Sequence, residues 1–255
     1  MSFIDIHCHL IPEVDDGARD MDHALVLAQS LVATGFSTVI ATPHYGEDYS
    51  SSYQSHIQKQ YNLLVENLKQ EGVPLSVFLG GEILLTPQVL EQAQAKKLPT
   101  LHDTPYVLLE LPFYQPVPTY AGETIFQLQA LGYKPILAHP ERILALHNNY
   151  KQLDEFGQSG VLFQINAGSL AGRYGKAAKH MAAELLKRGS VHFLATDTHN
   201  STGPGDFTNL KQKSELPIDE LVHNNPARLL SGGSVASVQP PKAPSLLERL
   251  CKHFS

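Results

Sequence analysis

Phe3-Ile4-Asp5-Ile6-His7-Cys8-His9 opens the chain as a short apolar strand that runs into two histidines one residue apart. Residues i and i+2 of a strand face the same side, so His7 and His9 can converge on one ion while Cys8 faces away. A small, packed and inert role suits Cys8. His-x-His alone is a weak signal. Its weight depends on whether later strands end the same way.

Outward from this segment, strands and helices alternate. Met21 to Thr34 has helical apolar spacing and is closed by Gly35. Ser37 to Thr42 is β-branched and reads as a buried strand. Further strands are expected at Leu75–Leu79, Tyr106–Leu111, Pro135–Ala138, Val161–Ile165 and Val191–Thr196. Helices are expected at Tyr53–Gln70, Pro87–Ala95, Tyr120–Leu131, Tyr150–Ser159, Lys176–Arg188 and Leu216–Leu230, the last interrupted by Pro226. Seven strands alternating with helices imply a parallel sheet, open or closed. No internal repeat is found.

Ligand-type residues recur at the strand ends. Asp15-Asp16-Gly17 follows the first strand, Pro43-His44 the second, and Glu82 the third; Glu110 lies near the end of the fourth. His139-Pro140-Glu141-Arg142 ends the fifth and Asp197-Thr198-His199 the seventh. Any one of these, taken alone, reads more readily as a turn former or helix cap than as a ligand. Six of seven strands ending in His, Asp or Glu fits a shared cavity better, because β/α barrels build their sites at the C-terminal strand ends. Of the remaining histidines, His192 reads as a hydrogen-bonded packing residue. His23, His56, His102, His147, His180, His223 and His253 read as surface.

Composition sets the frame. The 255 residues fit one barrel or two small domains, and 42% hydrophobic residues can build a sizeable core. A net charge of −6 without a basic run gives nucleic-acid binding little support. No apolar run approaches the ~20 residues of a membrane span. The N-terminus lacks the pattern of a signal peptide, and two cysteines suggest no disulfide framework, so a cytoplasmic protein is expected. Gly232 begins a Pro/Ser-rich linker, and Ser245–Phe254 reads as a short amphipathic helix docked on the barrel, with partner binding as the alternative. The expected division is therefore 1–231, the catalytic barrel, and 232–255, linker and helix.

Together these segments resemble the PHP (polymerase and histidinol phosphatase) superfamily. They are most similar to the bacterial manganese-dependent tyrosine phosphatases associated with capsule and exopolysaccharide synthesis. The matching stretches include Asp5-Ile6-His7-Cys8-His9, Val14-Asp15-Asp16-Gly17, Ala41-Thr42-Pro43-His44, Gly80-Gly81-Glu82 and Leu109-Glu110. His139-Pro140-Glu141-Arg142, Asn166-Ala167-Gly168-Ser169-Leu170, Asp197-Thr198-His199-Asn200 and Asn225-Pro226 continue the match in family order. The resemblance implies a distorted seven-stranded (β/α)7 TIM-like barrel of the PHP fold. It also implies three divalent metal ions, Mn2+ foremost and Fe or Zn as alternatives. His7, His9, Glu110 and Asp197 would hold one ion, and Glu82, Glu110 and His139 a second, with Glu110 bridging. Asp16, His44 and His199 would hold the third, with Asp16 favoured over Asp15.

The implied reaction is hydrolysis of phosphotyrosine, on a protein such as the tail of a bacterial tyrosine kinase. Mixed imidazole and carboxylate ligands suit manganese, iron or zinc. Arg142 is the catalytic candidate, because its planar fork can grip two phosphate oxygens. Similar enzymes often carry a second arginine in the loop after Asp-x-His, and Asn200–Asp206 has none. Arg173 is a candidate to face the pocket, with a surface position as the alternative. The thiol phosphatase pattern Cys-x5-Arg is absent, since Val14 lies six residues after Cys8. Rival readings are a histidinol-phosphate phosphatase or other small phosphomonoesterase, and a non-catalytic metal-binding regulatory module. A metal-dependent amidohydrolase ranks lower, because it would more often place a lysine where Glu110 stands.

Overall fold

The computed structural model describes residues 2–147, 149–213 and 216–238. The helix expected at Ser245–Phe254 lies outside the described residues, as does Cys251. The first sheet is built from β1 (Phe3–Cys8), β2 (Phe36–Ala41) and β4 (Ser76–Leu79), all parallel, in the order β1-β2-β4. The second contains β3 (His44–Tyr45), β5 (Glu82–Leu84), β6 (Tyr106–Glu110), β7 (Lys134–Ala138), β8 (Leu162–Asn166) and β9 (Phe193–Ala195). These six are also parallel and lie in sequence order. The structure is thus α/β with parallel sheets.

Seven strands were expected, and the described residues hold nine. The extra two, β3 and β5, lie just past the expected ends Thr42 and Leu79 and continue the lines of β2 and β4. Thr42-Pro43 separates β2 from β3, and Gly80-Gly81 separates β4 from β5. Pro43 has no N–H to give a ladder, yet pairing resumes past the break: Gly80 N donates to Ala41 O and Glu82 N to Pro43 O. At the other edge, β1 and the end of β9 meet through an isolated parallel bridge between Cys8 and Thr198. Asp197 N donates to His7 O at 2.9 Å, and His9 N to Thr198 O at 3.1 Å.

Strand periodicity sorts the core. Leu108, Ile136, Ala138, Phe193 and Ala195 join Ile6, Ile40 and Tyr106 in a compact cluster on one side of the strands. Their neighbours Val107, Leu109, Leu137 and Leu194 belong to the larger cluster that packs under the helices. Both faces are therefore apolar, as parallel sheets covered by helices require. Cys8 is fully buried in the larger cluster, on the side away from the histidines.

Helices start and stop where the sequence provides caps. In α1 (Met21–Thr34) the Asp20 side chain accepts from His23 N, and Gly35, at φ 107°, closes the end. The other long helices are α2 (Ser51–Gln70), α4 (Ala121–Ala130) and α7 (Gly175–Lys187), with shorter α3 (Gln88–Gln94) and α5 (Tyr150–Gln158). Two helices had no expectation: α6 (Ala167–Ala171) and α8 (Pro204–Lys213). The expected Leu216–Leu230 helix is a π-type turn, Glu220–Asn224, followed by α9 (Asn225–Leu230), with Pro226 in its first turn. A proline there costs little because the first N–H groups have no helical acceptor. The start of the expected linker is tied down: Tyr106 Oη donates to Gly233 O, and Val238 N to Val191 O. No helix among the described residues is long and apolar enough to cross a membrane.

His192 is the packing residue its position suggested. Its Nδ1 accepts from Phe163 N at 3.0 Å, and its backbone N donates to Phe163 O at 2.9 Å. Burial pushes the ring from the ordinary 6.5 down to about 4. The folded state therefore holds it neutral where the unfolded chain would protonate it. Its contribution is complete above about pH 6.5 and lost as pH falls toward 4, on the order of 1–3 kcal/mol at the limit. His192→Asn, which keeps an acceptor and cannot titrate, should flatten the fall of unfolding free energy between pH 6.5 and 4. Parallel wild-type and variant profiles in urea titrations would refute it.

Candidate metal centre

The strand ends bring all nine expected ligand residues into one place. His7 and His9, on β1 and just past it, set their Nε2 atoms 3.2 Å apart. Asp197 Oδ1 lies 3.4 Å from the first and 3.5 Å from the second. Glu82, opening β5, places Oε1 2.8 Å from His139 Nε2 and Oε2 3.2 Å from His7 Nε2. The same Oε2 lies 3.1 Å from His44 Nδ1. Asp16 Oδ1 is 3.3 Å from both His44 Nε2 and His199 Nε2.

Four ligand groups result, each with its atoms within 4.8 Å: His7-His9-Asp197, His7-Glu82-His139, His44-Glu82-Glu110, and His9-Asp16-His44-His199. Glu110 gathers with His44 and Glu82. Its Oε1 is 3.7 Å from His139 Nε2. The groups grade from a buried floor, with His7, Glu82 and His139 at 1% exposure or less, to a mouth at Asp16. His139 and Asp197 sit at φ 30° and 47°, a left-handed backbone that non-glycine residues adopt only under constraint.

The donor set fits divalent cations. Glu82 Oε2 is buried without a hydrogen-bond partner although three imidazole nitrogens surround it, and His139 Nδ1 is likewise unpartnered. Buried polar atoms left so are costly. Burial and the Glu82 charge push Glu110 up to about 7. Burial opposes a charged His7 ring, but the Glu82 and Asp197 carboxylates outweigh it and raise His7 to about 9. Protons here do what cations would do better: neutralise crowded carboxylates while leaving nitrogen lone pairs to bind.

Supporting residues surround the ligands, and several were missed from sequence. Asp15 stands behind His9, accepting from its Nδ1 at 2.9 Å and from Gly17 N at 2.9 Å, so Asp16 is the one left facing the mouth. Gly17 is required for space: a Cβ there would lie 2.3 Å from His9 O. Buried Asp5 accepts from His7 N and from Thr196. Gln164 and Asn166 come from β8, the one strand that ended without His, Asp or Glu. A polar pair at i and i+2 in an apolar strand was the available signal. Buried Glu141 accepts from Asn166 N, and burial pushes its carboxyl up to about 7.

Arg142 follows His139 on a turn in which Arg142 N donates to His139 O. Its guanidinium lies between the Phe113 and Tyr174 rings, at 4.6 and 4.1 Å, and Nη1 donates to Asp197 Oδ2 at 2.5 Å. Arg173 does reach the pocket wall. It lines a cavity of about 300 Å³ with Asp16, Arg142, Tyr174, Asp197 and His199, while bonded to Asp206 and Thr202 O. A larger cavity of about 520 Å³, beside Tyr61, Phe78 and Lys97, contains none of the nine ligand residues. There His102, expected at the surface, stacks on Phe78 with ring centroids 3.8 Å apart.

A family model described as "Capsular polysaccharide synthesis, CpsB/CapC" matches residues 3–230. The chain belongs to the CpsB/CapC family. It is 38% identical over 197 residues to the Bacillus subtilis protein named tyrosine-protein phosphatase YwqE, covering 77% of each chain. A solved structure superposes with a TM-score of 0.82 at 34% identity, over 94% of this chain and 100% of that one. It is described as one of YwqE from Bacillus subtilis and CpsB from Streptococcus pneumoniae, "unique metal-dependent tyrosine phosphatases". The histidinol phosphate phosphatase of Lactococcus lactis superposes over 86% of this chain and 95% of its own with a TM-score of 0.54 at 15% identity, a likeness of fold alone. In this CpsB/CapC chain the ligand-type side chains described above all lie within the matched segment.

Proposed function

We propose that this protein is a metal-dependent protein tyrosine phosphatase that works in the cytoplasm on a phosphotyrosyl protein of the capsule or exopolysaccharide machinery. A tyrosine kinase tail is the substrate we favour. The reading rests on the convergence of imidazoles and carboxylates from His7 to His199 in a chain related throughout to named tyrosine phosphatases. We assign the nine residues His7, His9, Asp16, His44, Glu82, Glu110, His139, Asp197 and His199 to three divalent ions, Mn2+ first. We read the nine described strands as seven staves of a TIM-like barrel over residues 1–231, with β3 continuing β2 and β5 continuing β4, and 232–255 as an appendage.

Bound divalent ions would supply Lewis acidity toward phosphate oxygens and make water a stronger nucleophile. Hydrolysis exchanges the tyrosyl P–O bond for one to a water oxygen, releasing tyrosine and inorganic phosphate. The protein's part is to orient. Arg142, its plane fixed by Phe113 and Tyr174, offers its fork to the charge on the equatorial oxygens. The tyrosine oxygen, of pKa about 10, leaves more readily than an alkoxide would. Cys8 is fully buried and its thiol is pushed up by that burial, so it is no nucleophile.

Turnover of a phosphotyrosyl peptide with manganese should survive iodoacetamide and vanish in chelator. Histidinol phosphate should be the poorer substrate in the same assay. Loss on alkylation with persistence in chelator, or a preference for histidinol phosphate, would overturn the reading. Chelation should also lower Tm, because the ions bind the folded state alone.

A further inference from the structure

His7, Gln164, Asn166 and Asp197 form an unbroken chain of side-chain hydrogen bonds. His7 Nδ1 donates to Gln164 Oε1 at 2.9 Å, Gln164 Nε2 to Asn166 Oδ1 at 2.7 Å, and Asn166 Nδ2 to Asp197 Oδ2 at 2.6 Å. Gln164, Asn166 and His7 are fully buried. The bottom of the chain is pinned too, since Asn166 N donates to Glu141 Oε1 at 2.8 Å.

We propose that Gln164 and Asn166 are positioning residues that act as an amide relay, setting the orientation of two metal ligands, His7 and Asp197, of one ligand group. The proposal rests on the metal reading above and adds to it. Its logic is one of polarity. An ionised carboxylate only accepts, so Asp197 must receive the amide nitrogen of Asn166. That turns the Asn166 oxygen toward Gln164, which must then present its own nitrogen. The Gln164 oxygen is left for His7, and Nδ1 of His7 must carry a proton. Its Nε2, beside His9, Glu82 and Asp197, is thereby committed to the cavity. Reversing either amide would set oxygen against oxygen or N–H against N–H somewhere along the chain.

The same bonds select which oxygen of Asp197 is available. Oδ2 is held by Asn166 and Arg142, and Oδ1 faces His7 and His9. A ligating histidine whose second nitrogen is fixed by a hydrogen bond keeps its tautomer and ring orientation, and losing such a partner weakens metal binding about 10–100-fold. The relay also explains why β8 contributes no ligand: its two inward polar positions hold ligands that belong to β1 and to the end of β9.

The test is calorimetric titration of the full-length metal-free protein with manganese, with Gln164→Leu, Gln164→Glu and Asn166→Asp beside wild type. Gln164→Leu keeps the bulk and removes the acceptor, so affinity should fall about 10–100-fold. Gln164→Glu restores an acceptor for His7 Nδ1 but sets an oxygen against Asn166 Oδ1, so affinity should recover in part, to a value between Gln164→Leu and wild type. Asn166→Asp faces Asp197 with a second carboxylate and should weaken binding at least as much as Gln164→Leu. In metal-free protein the slowly exchanging His7 Nδ1 proton should be lost in Gln164→Leu and kept in Gln164→Glu. A role in packing alone would not separate these two variants. Equal affinity of Gln164→Leu and wild type, or equal weakness of the Leu and Glu variants, overturns the relay and leaves the metal centre standing. If Gln164→Leu does not fold, Asn166→Asp decides: wild-type affinity overturns the relay. Wild-type protein that takes up no manganese removes both.

Discussion

Glu82→Gln is expected to lower kcat/KM for a phosphotyrosyl peptide by about a thousandfold or more. Of the nine ligand candidates, Glu82 is the most central. One oxygen meets His139 at 2.8 Å, and the other lies within 3.1–3.4 Å of His44, His7 and His9. It belongs to two of the four ligand groups. Glutamine keeps the volume, so the fully packed surroundings do not collapse. What changes is charge: one carboxylate is removed, and an N–H pair is turned toward nitrogens that should face cations. Two readouts separate this from misfolding. Metal content should fall below that of wild type. Metal-free variant should still unfold cooperatively but at a lower Tm, because His7, His139 and His44 hold the Glu82 carboxylate well below its usual range. A variant that keeps its full metal content and activity would show that Glu82 binds no ion.

The parts of this molecule that were legible in sequence obey a local period. Strands that later pair in parallel announced themselves as short apolar runs, and the ligand residues stood at their ends. His7 and His9 were readable because a strand puts i and i+2 on one face. Breaks were less legible: Pro43 and Gly80-Gly81 interrupt strands whose pairing is rescued across the gap by backbone bonds from distant segments. Helix α6 follows β8 with no intervening loop, so no polar break marked its start. The support of the ligands was hidden for a different reason. Asp5 and Gln164 act across 191 and 157 residues of sequence, and the one local signal, the polar pair Gln164 and Asn166 in an apolar strand, does not say what the pair supports. The π-type turn before Pro226 was hidden likewise, because a proline signals interruption and not which helical form absorbs it.

Arg142→Lys and Arg142→Ala should each lower kcat/KM by about 100–1,000-fold while leaving metal affinity within a few-fold of wild type. The guanidinium is held flat between Phe113 and Tyr174, and only one of its nitrogens is spent on Asp197. Lysine can restore the charge but neither the stacking nor the fork, so the two variants should fall together. Asp197 keeps its second partner, Asn166 Nδ2, which is why the ion need not leave with the arginine. Inorganic phosphate should inhibit both variants more weakly than wild type, since it uses the same grip. The opposing account makes Arg142 a mere prop for Asp197. It predicts that manganese affinity falls in step with activity and that excess manganese restores turnover. Phosphate inhibition would then be unchanged in fully metallated variant, and Arg142 would have no contact with the substrate.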